Sequence, residues 1–161
     1  MTKTQTISTT ANDPAVPAAA AQFLSPVVMG LQALTINGKQ AHWHVRGANF
    51  VGVHELLDTI VAHAGNWADT AAERIVALGL PIDARLQSVA ANAKPSSVPA
   101  GFTKSDALVR DVIADIDGII VDLKAAIDGL DEIDLSSQDV AIEIMRGLEK
   151  DRWFLFAHVA E

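Results

Sequence analysis

Apolar residues return every three or four positions along most of this chain. Between Ala15 and about Arg46, Phe23, Val27, Leu31, Leu34 and Ala41 keep that step, the spacing of one face of a helix. Pro26 interrupts the run and is expected to kink it. Gly47 is placed to end this helix and Asn49 to cap the next one. The second predicted helix runs from about residue 50 to 78 without proline, and "LGLP" at 78–81 ends it with a glycine and then a proline. Residues 82–101 are rich in Ala, Pro and Ser; within them "DARLQSVAAN" predicts a short helix capped by Asp83. Thr103 opens a third long helix, "TKSD" resembling a capping box with Asp106 at its third position. Its apolar stripe is Val109, Val112, Ile113, Ile116, Ile120, Leu123 and Ile127. A fourth helix starts near Ser136 or Ser137 and carries Val140, Ile144, Leu148, Trp153 and Leu155, with Trp153 expected to pack. No strand pattern of any length is present.

Four long amphipathic helices with short, long and short connections predict an all-α four-helix bundle. The long middle connection can carry the chain across the length of the bundle. Residues 1–13 read as a disordered polar tail and 14–161 as one bundle domain.

Composition sharpens this picture. Half of the residues are apolar and Tyr is absent, which favours helices over an all-β fold. There is no cysteine, so disulfides and thiolate metal sites are excluded; a bound metal must use His, Asp, Glu or water. Twelve basic residues stand against twenty acidic ones, for a net charge of −8. No Lys/Arg block is present, and the tail carries one lysine, Lys3. DNA binding is therefore expected to be weak or absent, because a phosphate backbone is gripped by a basic face. The tail lacks the apolar middle of a secretory signal, and no apolar run is read as long enough to span a bilayer. The expectation is a soluble, cytoplasmic protein with no membrane partner.

The candidate chemistry lies in "KQAHWHVRGANFVGVHELLD", residues 39–58, followed by Asp69 and Glu73. On a helix with His54 set at zero, Asp58 falls at about 40°, Asp69 at about 60° and Glu73 at about 100°. His54 and Asp58 form one i,i+4 pair, Asp69 and Glu73 another. The pairs lie about 22 Å apart along the axis, so they cannot serve one site within one helix. Two copies of the helix, antiparallel across a two-fold axis near residues 63 and 64, bring the first pair of one copy against the second pair of the other. Ala62 and Gly65 lie on the same face near that crossing, and small residues there permit close approach. His42 lies five residues before Gly47 and His54 five after Asn49, so a tight helical hairpin holds both at similar depth. His44 and His63 point elsewhere. Imidazole plus carboxylate ligation suits iron, manganese or zinc rather than copper(I).

"KQAHWHVRGANFVGVHELLD…D…AAER" resembles the Dps family, the DNA-binding proteins from starved cells, or mini-ferritins. His42, His54, Asp58, Asp69 and Glu73 match its ferroxidase motif at every ligand position, and "DRWFLFAH" resembles its last helix. The likeness runs from about Phe23 to His158. It implies a ferritin-like four-helix bundle with a short extra helix in the middle connection, assembled as a hollow homododecamer. It further implies two iron ions per inter-subunit site, oxidation of Fe(II) by hydrogen peroxide or dioxygen, and storage of ferric mineral. Glu73 is then the expected bridge, with Asp69 supporting it or binding the second ion. Trp43, beside His42, is an oxidisable neighbour whose default role is packing. The acid-rich junction "DGLDEIDLSSQD", residues 128–139, together with Asp122 just before it, supplies candidates for an iron-entry pore: Asp122, Asp128, Asp131 and Glu132. Two other readings stay open: a metal-dependent hydrolase of amides or esters using the same site, and a structural DNA-protecting shell.

Overall fold

The computed structural model describes residues 13–160. The tail predicted for residues 1–13 lies outside them, Asp13 apart. Four long helices form the bundle: α1 (Ala15–His44), α2 (Phe50–Ala77), α4 (Ser105–Leu130) and α5 (Leu135–Ala157), with the short α3 (Leu86–Asn92) in the middle connection. α1 packs most extensively on α2, and α4 on both α1 and α5; α3 lies against α1. Leu24, Leu31 and Leu34 of α1, Leu57, Ile60 and Ile75 of α2, Leu108, Ile116 and Leu123 of α4, and Ile144 and Leu148 of α5 are fully buried in a single core. Leu31, Leu34, Ile116, Leu123, Ile144 and Leu148 are among the three- and four-step positions of the sequence pattern. Each burial contributes on the order of 1.5–3 kcal/mol before chain entropy is counted.

Glycine lets the helices meet at two places. A Cβ on Gly129 would lie 2.2 Å from the Phe23 ring, and one on Gly147 would lie 2.1 Å from the Trp67 ring. Both aromatics occupy the space that a side chain on the facing helix would fill.

α1 runs through Pro26 over nearly its whole predicted span. The structure departs from the sequence expectations at the ends of the helices. Asn49 does precede α2, but it sits at φ 57 in the left-handed region and its side chain makes no capping hydrogen bond. Thr103 does not cap α4. It pairs with Val45 in a two-residue parallel bridge, β1 (Val45–Arg46) with β2 (Thr103–Lys104), too short to leave an alternating pattern. α4 begins at Ser105, whose hydroxyl donates to the Ala48 carbonyl at 2.7 Å. This bridge and hydrogen bond pin the return of the long connection beside the α1–α2 turn. Asp83 holds a turn rather than a helix end, accepting from the Arg85 amide and guanidinium. α5 starts at Leu135, capped by Asp134, which accepts from the Ser137 amide at 3.3 Å and from Arg74 Nη2 at 2.6 Å. Burial pushes the Asp134 carboxyl up, but the bonds from Ser137 and Arg74 outweigh it and hold the pKa below its usual value.

Two further expectations need correction. Trp153 is 62% exposed, because it lies outside the buried stripe formed by Ile144, Leu148 and Leu155. α1 is long and apolar enough, by length and composition, to cross a bilayer, although polar residues break up its apolar runs. In the bundle it lies against α2, α3 and α4.

Candidate metal centre

The α1–α2 hairpin places His42 and His54 against each other. Their rings stack with centroids 3.7 Å apart and planes 22° from parallel. His42 Nδ1 lies 2.8 Å from the His54 carbonyl oxygen, and His54 Nδ1 lies 2.9 Å from that of His42. A carbonyl only accepts, so each Nδ1 carries the proton and donates. In the neutral form such a ring keeps an Nε2 lone pair to offer a metal ion, with the tautomer fixed by the other histidine's backbone. His42 is nearly buried and His54 half-buried. The Phe50 ring stands 5.1 Å from His54.

Asp58 is exposed, and its carboxylate is bonded to the Lys39 ammonium. That hydrogen bond is the main reason its pKa lies below the usual value; desolvation opposes it, and the charges of Lys39, His42 and His54 add to the lowering. Lys39 was not singled out from the sequence, though a signal existed. The hairpin that pairs residue 42 with 54 also sets residue 39 beside 57 and 58.

Asp69 and Glu73 lie further along α2, exposed. Fifteen residues separate Asp69 from His54, about 22 Å of helix. Among the described residues no three His, Asp or Glu side chains converge as a metal-holding group. The chain thus brings His42 of α1 against His54 of α2, with Asp58 one turn further along α2, and keeps the acidic pair apart. Between them Ala62 is exposed, and a Cβ on Gly65 would meet nothing within 4 Å. Trp43 is 61% exposed.

The remaining histidines turn elsewhere. His44 Nδ1 bonds to the Gln40 carbonyl at 2.8 Å, and its ring faces Phe102. His63 binds Asp151 of α5, Nδ1 to Oδ2 at 2.9 Å. Asp151 is 2% exposed, and burial raises its pKa against the opposing pull of His63. Neither this pair nor the Arg74–Asp134–Ser137 cluster was read from the sequence, because its members lie more than sixty residues apart or on different helices.

The acidic residues near the α4–α5 junction are spread out. Asp122 is paired with Lys94 at 2.6 Å. Asp128 is exposed on the last turns of α4, and Asp131 accepts weakly from Gln138 at 3.4 Å. Glu132 is exposed at φ 60 in the loop.

The ferritin-like domain family matches residues 28–161, in agreement with the bundle and its crossing connection. Among curated proteins, the DNA protection during starvation protein of Agrobacterium fabrum is 37% identical over 129 residues, covering 80% of each chain. The structure of Dps from Microbacterium arborescens in the high iron form is 64% identical, with a TM-score of 0.91, and spans 93% of this chain and 98% of that one. Mycobacterium smegmatis Dps is 27% identical with a TM-score of 0.90, over 98% of this chain and 96% of the other. The chain belongs to the ferritin-like class and, within it, to the Dps family.

Proposed function

We propose that this protein is a Dps-type ferroxidase and iron store, which takes Fe(II) as substrate at sites shared between two subunits. The observation that carries the reading is the reciprocal His42–His54 arrangement. Two stacked imidazoles are tied through Nδ1 to each other's backbone, which leaves both Nε2 atoms out of those hydrogen bonds. Asp58 stands beside them with its charge held by Lys39.

An antiparallel partner across the exposed Ala62–Gly65 face would bring Asp69 and Glu73 to these three residues, Glu73 as the bridge between two ions. Ile36 and Trp43, seven residues apart on one face of α1, are both exposed; apolar surface of this kind is usually covered by a partner. A two-fold seam alone closes as a dimer; joined by a second, three-fold contact, such dimers form the hollow shell of twelve subunits that we assign.

The chemistry follows from placing two ions together. Two Fe(II) each give one electron to hydrogen peroxide. Its O–O bond breaks, two protons are taken up, and two Fe(III) and two waters result. Pairing the electrons avoids release of hydroxyl radical; dioxygen is the alternative oxidant. The chain's own contribution is to hold the donors, fix the imidazole tautomers and keep Asp58 ionised. Lys39 must release a carboxylate oxygen as a cation arrives. The acids Asp122, Asp128, Asp131 and Glu132 draw cations toward the shell, and ferric mineral collects inside. The setting is cytoplasmic. A subunit charge of −8 repels DNA, so any protection of DNA comes from consuming iron and peroxide.

Mixing Fe(II) and peroxide with the protein under anaerobic conditions tests the proposal. Fast Fe(II) oxidation is expected for the native chain, falling at least tenfold in His54→Ala by analogy with loss of a metal ligand. Equal kinetics in the two proteins would reject the assignment.

A further inference from the structure

Between α1 and α4, under the segment that follows α3, lies a partly enclosed cavity of about 330 Å³. No α2 residue lines it, and of its lining only Asp122 figures in the iron reading. Its floor is apolar, with Leu34 and Ile119 among the lining residues. Ile119 lies over Gly30, where a Cβ would meet it at 2.8 Å. Asp115 and Asn37 both line the space, with Lys94 and Asp122 also on its wall.

Asp115 has no basic partner among the described residues. It accepts a hydrogen bond from the Ser96 hydroxyl at 2.6 Å and another from Asn37, while Asp111 nearby carries the same charge. Burial is the main cause raising its pKa, and Asp111 adds to it. The nearest cation of the cavity is committed elsewhere. Lys94 donates to the Gly118 carbonyl and to Asp122, both at 2.6 Å, and so straps residues 92–97 down on α4. A half-buried carboxylate held by neutral donors next to a second acid, on the wall of a cavity that also offers Leu34 and Ile119, has no positive charge paired with it.

We infer that this cavity is a binding site for a small organic amine, whose ammonium group meets Asp115 and Asn37 and whose apolar body lies along Leu34 and Ile119. Anions are excluded by the acids on its wall. The volume is at the lower end of the range for small-molecule pockets, which limits the ligand to a short chain or a single ring.

Titration calorimetry and saturation-transfer NMR on the full assembled chain test this, with n-hexylammonium as probe and n-hexanol as its uncharged match. Hexylammonium should bind saturably and about tenfold more tightly than hexanol, the gain of one charge-assisted hydrogen bond. Asp115→Asn keeps an acceptor for Ser96 and should remove that gain while leaving hexanol unchanged. Ala33→Leu, which fills the cavity from the α1 side, should abolish binding of both. Equal hexylammonium affinity in the native chain and Asp115→Asn, binding that survives Ala33→Leu, or no saturable binding would each overturn the inference. Fe(II) oxidation is expected to be unchanged in both variants, so loss of amine binding and loss of the iron reading are read by separate measurements.

Discussion

His42 and His54 lie ring to ring, centroids 3.7 Å apart, and each imidazole donates to the backbone carbonyl of the other. Twelve residues separate them in sequence. The turn between α1 and α2 and the two hydrogen bonds make one unit that is both a structural clasp and a pair of metal donors. Removing His54 by mutation to Ala leaves the His42 carbonyl without its partner, at a cost of about 1 kcal/mol. The expected outcome is a small fall in thermal midpoint with loss of tight Zn(II) or Fe(II) binding, measured on the same preparation by calorimetry and metal titration. A large fall in stability with metal affinity retained would make the pair a clasp only.

Lys39 competes with any cation for Asp58. Lys39→Met removes the competitor while keeping an apolar stem of similar length. Metal affinity should rise severalfold, and the salt dependence of binding should change with it. Zn(II) titration of the two proteins checks this, and weaker binding in the variant would show that Lys39 instead orients the carboxylate.

The shared-site geometry has a combinatorial consequence. Chains carrying His54→Ala and chains carrying Glu73→Ala are each expected to be inactive alone. When they are co-assembled in equal amounts at random, on the order of one quarter of the sites take their histidines and their glutamate from intact halves, as two-fold symmetry requires. Recovery of about that fraction of Fe(II) oxidation is the expected result. No recovery would place all donors in one subunit.

Gly147 gives way to the Trp67 ring, and a Cβ there would lie 2.1 Å from it. Gly147→Ala is expected to destabilise the chain by about 1–3 kcal/mol, the usual cost of overpacking a core. Chemical denaturation gives the magnitude. The tryptophan emission should shift as Trp67 is displaced, and an unchanged spectrum with unchanged stability would contradict the contact.

Asp151 is nearly fully buried with a pKa raised mainly by burial, against hydrogen bonding and charge from His63. A carboxyl that holds its proton more tightly when folded contributes stability below its ordinary value of 3.8, and that contribution is lost as pH rises through the folded pKa. Asp151→Asn should therefore flatten the stability profile above pH 3.8, while an unchanged slope would assign that pH dependence to other groups. Denaturant midpoints measured across that range supply the test.

Much of this protein was legible before its fold was known. The four long helices, the short one after "LGLP", the buried stripe of α4 and the bundle itself follow from the three- and four-step apolar pattern, because burial of one face is what makes each helix stable. The depth match of His42 and His54 was also readable, because a short turn sets two helices in antiparallel register. Helix ends were read less well. Asn49, Thr103 and Ser136 are all good local caps, but Thr103 is taken by a bridge to Val45, Asn49 by a left-handed turn, and the α5 cap by Asp134.

What only the tertiary structure decided are the partnerships across the chain: Lys39 with Asp58, His63 with Asp151, Arg74 with Asp134, and Ser96 with Asp115. Such pairs leave no periodic trace. A helix declares in its own sequence which face is buried, but which charged group meets which depends on the rotation and offset of the packed helices. Those are set by side-chain interlocking throughout the core, as where Trp67 fits over Gly147 and Phe23 over Gly129.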